Sequence, residues 1–204
     1  MFDSKPFFQR RLRPAARTFA RAGVTANQVT GATIALSCAG GAVILAYPGA
    51  LWPLWLVPAV LLVRLAFNHI DGMLAREHGM KTPLGGMLNE LADVVADAAL
   101  YLPLATVPGV PAAPLVAVVM LGVVVETAGL AALAIAAERR NDGPLAKKPR
   151  GLAFGSIALA LALGVAPGPW IDATLAALAV LAFVTVVRRV HAAIAEASRP
   201  CSTR

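Results

Sequence analysis

Cysteine is almost absent from this 204-residue chain. Cys38 lies in an apolar run and Cys201 near the end, so no disulfide framework can be built from them. Histidine is scarce too. His69 and His78 have no ligand spacing to another His or Cys and read as loop or interface residues. Charge is the next shortage: 14% of residues are charged against 58% hydrophobic, and mean hydropathy is positive, which excludes an ordinary soluble domain. No apolar stretch precedes residue 29, so no cleavable signal is expected. There is no repeated half and no sign of a second domain. What remains is an integral membrane protein.

Six apolar runs carry that conclusion. They cover residues 29–47, 51–67 (interrupted by Arg64), about 84–107, 115–137 (with Glu126 in its middle), 152–166 and 170–187. Residues 1–25 are different: Lys5, Arg10, Arg11, Arg13, Arg17 and Arg21 alternate with Phe7, Phe8, Leu12 and Phe19, the pattern of a helix lying on an anionic leaflet. Direct attachment to a membrane span argues against reading the same charges as a nucleic-acid arm. The expected fold is therefore all-α and polytopic, with six transmembrane helices and an N-terminal amphipathic interfacial helix. Residues 1–25 form the arm, 26–191 the membrane domain and 192–204 a cytoplasmic tail.

Of the 18 lysines and arginines, all but Arg64 fall in the N-terminal arm, between runs two and three, between runs four and five, or after run six. Alternate loops carry the basic charge, which places both termini and those two loops on the cytoplasmic side.

The polar stretch from Asn68 to Asp97 is where an apolar chain has most reason to avoid acids. Asn68, Asp71 and Ala75 share one face of a helix, and Gly85, Asn89, Asp93 and Asp97 share a face of the next. A short loop with Gly79 and Pro83 joins them, so two oxygen-rich stripes face each other across a pocket suited to hard cations and phosphate. Asp93 sits about 13 Å along its run at 1.5 Å per residue and needs water, a metal or a basic partner.

The order and spacing of Asp71-Gly72, Ala75-Arg76, Gly85 and Asp93 resemble the signature of the CDP-alcohol phosphotransferases (CDP-alcohol phosphatidyltransferases), membrane enzymes that transfer a phosphatidyl or phosphoalcohol group from a CDP-linked donor to a hydroxyl and release CMP. The six-helix plan, the basic arm and Ala26-Asn27, where relatives have Pro-Asn, extend the resemblance over most of the chain. Two positions depart from it, because Asn68 and Asn89 stand where the family has aspartates that help bind a pair of divalent ions. The loss of two charges reads as a variant site with one tightly held ion, and a pseudoenzyme is the rival reading.

The resemblance implies a role for each matching residue. Asp71 is the principal ligand for Mg²⁺ or Mn²⁺, with Asn68, Asn89 and Asp93 completing the metal set. Gly72, Ala75 and Gly85 let the donor approach the backbone, Arg76 holds its phosphate, and Asp93 is the general base. Each glycine can also be read as helix packing alone. Outside the signature, Lys147, Lys148 and Arg150 lie in a loop that either contacts an acceptor or headgroup or only sets topology. Asp97 and Glu90 are auxiliary acids, Asp97 being equally a structural hydrogen-bond partner. Arg64 either pairs with Glu126 or faces the pocket.

The leading function is a transferase of phospholipid biosynthesis, with CDP-diacylglycerol or another CDP-alcohol as donor, an alcohol as acceptor and membrane lipids as surroundings. It needs no nucleic acid, its site faces the cytoplasm from a bacterial-type inner membrane, and a homodimer is implied by the family. A catalytically weakened regulatory relative and a small ion-coupled transporter are the alternatives. The transporter requires acids spread through the bilayer, whereas here they cluster near Arg76.

Overall fold

Prolines and glycines cut the apolar sequence into helices, and the structure, a computed structural model, follows those cuts. It describes residues 5–198, with side chains from Arg10 onward. Residues 1–4 of the expected arm and 199–204 of the expected tail, including Cys201, lie outside the described residues.

The helices are α1 (Lys5–Arg21), α2 (Ala26–Ala46), α3 (Leu56–Glu77), α4 (Pro83–Tyr101), α5 (Ala112–Ala131), α6 (Lys147–Ala162) and α7 (Pro169–Ala197). Short 3₁₀ turns precede α3 (Trp52–Trp55) and follow α4 (Leu102–Thr106) and α5 (Ala132–Ile135). No strand occurs among the described residues. Sequence-encoded caps set the boundaries that matter for the site. Thr25 and Gln28 form a capping box at the start of α2. Gly79, at φ +68°, turns the chain after α3, and Thr82 caps α4 by accepting the Gly85 N–H at 2.9 Å, with Pro83 in the first turn.

Each of the six apolar runs has its helix, α2 to α7. Four stretches are long and apolar enough to cross a membrane: Ala26–Ala46, Trp52–Glu77, Ala112–Ile135 and Pro169–Ala197. The protein is an integral membrane protein. Three acids on α4, and a length of only 16 residues for α6, keep those two helices from the same description. α7 continues to Ala197, so the segment expected as a tail begins as helix. α6 begins at Lys147, earlier than the loop assignment of Lys147, Lys148 and Arg150 allowed. The reason is that Pro149 sits in the first helical turn, where no intrahelical N–H is needed, and so does not stop the helix.

Packing brings α4 against α2 most closely. A Cβ on Gly41 would collide with the Ala99 carbonyl, so these backbones touch, as small residues permit in membrane helices. A central core of Leu54, Val57, Leu100, Leu104, Leu115 and Ile171 fills the bundle, and Tyr101 stacks on Phe154 with ring centroids 4.3 Å apart. A second cluster, Ala16 with Val29, Ile70, Met73 and Leu74, ties α1 to the end of α3 that carries the signature. An Arg13–Glu77 ion pair of 3.0 Å closes the same seam.

Candidate active site between α3, α4 and α6

Asn68, Asp71, Gly72, Ala75 and Arg76 occupy the last turns of α3, while Gly85, Asn89 and Asp93 occupy the facing part of α4. A turn of five residues joins the two helices, and Asp71 lies within electrostatic reach of Asp93. Asp71 is buried, 8% exposed, and its carboxylate accepts the Thr30 hydroxyl at 3.2 Å and the Gly72 backbone N–H. No lysine or arginine among the described residues forms an ion pair with it. It does lie in the electrostatic reach of Lys147 and Asp93.

Asp93 is half-buried and holds the ammonium of Lys147 on Oδ1. Of the three partners its depth called for, the chain itself provides the basic one. Asn68 is half-buried and Asn89 exposed on the same cleft. Arg76 is exposed, and its guanidinium folds back over its own helix: a Cβ on Gly72 would lie 2.8 Å from Arg76 Nη2. Gly72 is thus covered by a flexible side chain of this protein that can move aside. Gly85 is likewise covered, since a Cβ there would lie 2.5 Å from Asn27 Oδ1. Ala75 packs with the α1 cluster. Glu90 pairs with Arg139. Lys148 is exposed on the first turn of α6.

The donor set suits a hard divalent ion. Two carboxylates and two amide oxygens are ligands that Mg²⁺ or Mn²⁺ accepts, and Asp71 is a buried carboxylate with no ion-pair partner among the described residues. Among the described residues no group of three or more His, Cys, Asp or Glu is placed to hold a metal.

A buried ion-pair network lies directly below. Arg150, 2% exposed, donates from Nε (3.0 Å) and Nη2 (2.8 Å) to Asp97 Oδ2 and from Nη1 to Glu126 at 3.1 Å. Gly122 makes room, as a Cβ there would lie 3.1 Å from Arg150 Cδ. Arg64 donates to Asp97 Oδ1 at 2.7 Å, and Arg189 approaches Glu126 at 3.8 Å. This settles the open choice for Arg64, whose partner is Asp97 and not Glu126. It also takes Arg150 out of the surface loop: its guanidinium is spent on two internal acids and does not face the cleft. Asp97 has both oxygens occupied and is a structural partner here. Asp93, Asp97 and Glu126 are each closed by a cation, so they form no line of free acids.

Several contributors escaped the sequence reading. Thr30 was legible in principle, since Asn27, Thr30, Thr33 and Ser37 recur at helical spacing on one face of an apolar run. The pairing of Lys147 with Asp93 had a signal too, because Lys147 and Arg150 repeat at the interval that lets them meet Asp93 and Asp97. Arg139 had none beyond its charge.

A model of the family described as CDP-alcohol phosphatidyltransferase matches residues 23–194. The inner membrane protein YnbA of Escherichia coli is 39% identical over 163 residues, covering 80% of this chain and 81% of that protein. The phosphatidylinositol phosphate synthase of Mycolicibacterium smegmatis is 33% identical over 190 residues, covering 88% of this chain and 82% of that one. Among solved structures, the Mycobacterium tuberculosis phosphatidylinositol phosphate synthase with CDP-DAG bound superposes with a TM-score of 0.78 at 22% identity, covering 95% of this chain and 100% of that chain. The same enzyme in complex with manganese and citrate gives a TM-score of 0.75 at 23% identity, covering 94% and 93%.

Proposed function

The chain belongs to the CDP-alcohol phosphatidyltransferase family, and on that premise we propose that it transfers a phosphatidyl or phosphoalcohol group from a CDP-linked donor, first of all CDP-diacylglycerol, to an alcohol hydroxyl in phospholipid biosynthesis. The observation that carries this reading is Asp71: a buried carboxylate with no ion-pair partner among the described residues, next to Gly72 in the chain and within electrostatic reach of Asp93. A relative of the same fold was solved with CDP-DAG and, separately, with manganese.

Asp71, Asn68, Asn89 and Asp93 would hold Mg²⁺ or Mn²⁺. When bound, that ion offsets the charge of the diphosphate and favours departure of CMP. Arg76 swings from Gly72 to donate to the donor phosphate, which opens Gly72 to the nucleotide beside the small Ala75, and Asn27 moves from Gly85 for that glycine to join the surface. The acceptor oxygen attacks the phosphorus next to diacylglycerol, the bond to CMP breaks with its electron pair, and Asp93 takes the hydroxyl proton. Lys148, exposed beside the cleft, is the basic residue still available to an anionic acceptor. The charge pattern supports six spans, α1 flat on the cytoplasmic leaflet of an inner membrane and the site opening to the cytoplasm, and the family likeness implies a homodimer.

One observation favours the weakened relative instead, namely the ammonium already seated on Asp93. Purified protein supplied with CDP-diacylglycerol, Mg²⁺ or Mn²⁺ and a panel of alcohols, inositol phosphate included, separates the two. Release of CMP with one acceptor is expected. Donor binding with no CMP released by any acceptor would leave the regulatory reading in its place.

A further inference from the structure

Three acids line α4 facing the site, and each already has a cation. Glu90 takes Arg139, Asp93 takes Lys147, and Asp97 takes Arg64 and Arg150. Lys147 is not a surface lysine reaching across by chance. It stands one turn before Arg150 on α6, and Arg150 is fixed by two hydrogen bonds to Asp97 and one to Glu126. Residues three apart on α6 and four apart on α4 are both same-face neighbours, so seating Arg150 on Asp97 delivers Lys147 to Asp93.

Across the cleft, Asp71 is the acid of the signature that lacks an ion pair, and its two amide companions are neutral. An ion placed at Asp93 would sit beside an ammonium, with Asn89 on its other side in place of a carboxylate. Repulsion between like charges falls off only with the inverse of distance, and the half-buried setting screens it less than bulk water does. An ion at Asp71 meets a free carboxylate and a more distant lysine.

We propose that Lys147 is the built-in counter-ion of Asp93 and that the site therefore takes a single divalent cation, centred on Asp71. The two carboxylates balance one such ion, and the ammonium leaves one positive charge to meet the donor diphosphate. A second ion would leave three, with no acid to hold it. This rests on the reading of the cleft as a divalent-ion transferase site.

The test counts ions on the full-length protein in detergent without nucleotide, by the loss of the free Mn²⁺ electron paramagnetic resonance signal. Wild type is expected to bind one Mn²⁺ per chain. The variant that combines Lys147→Gln with Asn68→Asp and Asn89→Asp, checked by its thermal unfolding, is expected to bind two. Two ions on wild type would overturn the proposal, as would none, or one on the folded triple variant. CMP release with two ions bound leaves the transferase standing and removes the role of Lys147. One ion on wild type and two on the triple variant, without CMP release, does the reverse.

Discussion

Arg150→Met removes a charge while keeping most of the side-chain stem, and the structure says what is left behind. Asp97 retains Arg64 at 2.7 Å, but Glu126 retains only Arg189 at 3.8 Å, beyond hydrogen-bonding distance. Both acids are less than a tenth exposed. Breaking a buried ion pair from one side costs ~3–5 kcal/mol, because the remaining charge is stranded away from water. For a chain of this size each kcal/mol moves the melting midpoint by ~2–4 °C, so a fall on the order of 10 °C is expected. Thermal unfolding in detergent, followed by tryptophan fluorescence, is the assay. Arg150→Lys keeps the charge but loses the fork and should fall between the two. Combining Arg150→Met with Glu126→Gln neutralises the stranded acid, leaves Asp97 paired with Arg64, and should recover much of the loss. A midpoint for Arg150→Met within 2 °C of wild type, about the shift of a 1 kcal/mol effect, would refute the network as drawn. So would a double variant no more stable than the single one.

Asp93→Asn keeps shape and removes basicity, so turnover should drop by about 10²–10⁴-fold while a CDP donor still binds; an unchanged rate would remove Asp93 as the base. Asn68→Asp with Asn89→Asp should lower the Mg²⁺ or Mn²⁺ concentration giving half-maximal activity, and an unaltered metal dependence would mean that these amides do not face the ion. For orientation, a cysteine at Asp142 should label from the cytoplasmic side and one at Ala112 from the other, in a background without Cys38 and Cys201. Both positions are exposed, whereas Gly109, at φ +84° and with Pro167 2.9 Å from a built Cβ, would not tolerate the change; the reversed pattern would turn the site around. Gly41→Val should prevent α2 from closing on Ala99 and abolish the folded, monodisperse protein in size-exclusion chromatography. Normal yield and elution would show that those backbones are not in contact.

The signature was legible because its chemistry is local. Asp71, Gly72, Arg76, Gly85 and Asp93 lie on two consecutive helices joined by a five-residue turn (78–82), so helical spacing alone places them on facing stripes. The boundaries of α2 and α4 were legible for the same reason, since Thr25, Gln28, Thr82 and Pro83 act on their own neighbours. Partner choice was not. For Arg64 the choice was between Glu126 and the pocket, and the folded bundle gives it Asp97 instead, 33 residues away. Lys147 and Asp93 are 54 residues apart, and Arg150 and Glu126 24 apart, so no local rule pairs them. The start of α6 was misjudged because a proline beside three basic residues looks like a loop, although a proline in the first helical turn costs nothing there.

The buried charges raise a different question, which is why an apolar bundle keeps them at all. Replacing a buried ion pair by well-packed apolar residues is often neutral or stabilising, so stability is weak ground for their presence. The position of α6 offers a better one. Its Gly151 and Gly155 lie against Leu61 of α3, and small residues of this kind permit close approach without fixing rotation. In lipid, moreover, an apolar helix that turns in place loses little, because its surroundings are as apolar as its neighbours. A one-residue slip of α6 rotates it by about 100°, enough to carry Lys147 off Asp93. The Arg150 fork is the feature that makes such a slip costly, since it would take three hydrogen bonds from Asp97 and Glu126 and leave Glu126 facing Arg189 at 3.8 Å. On this argument the network holds α6 in register, and its functional output is the position of the Lys147 ammonium one turn away.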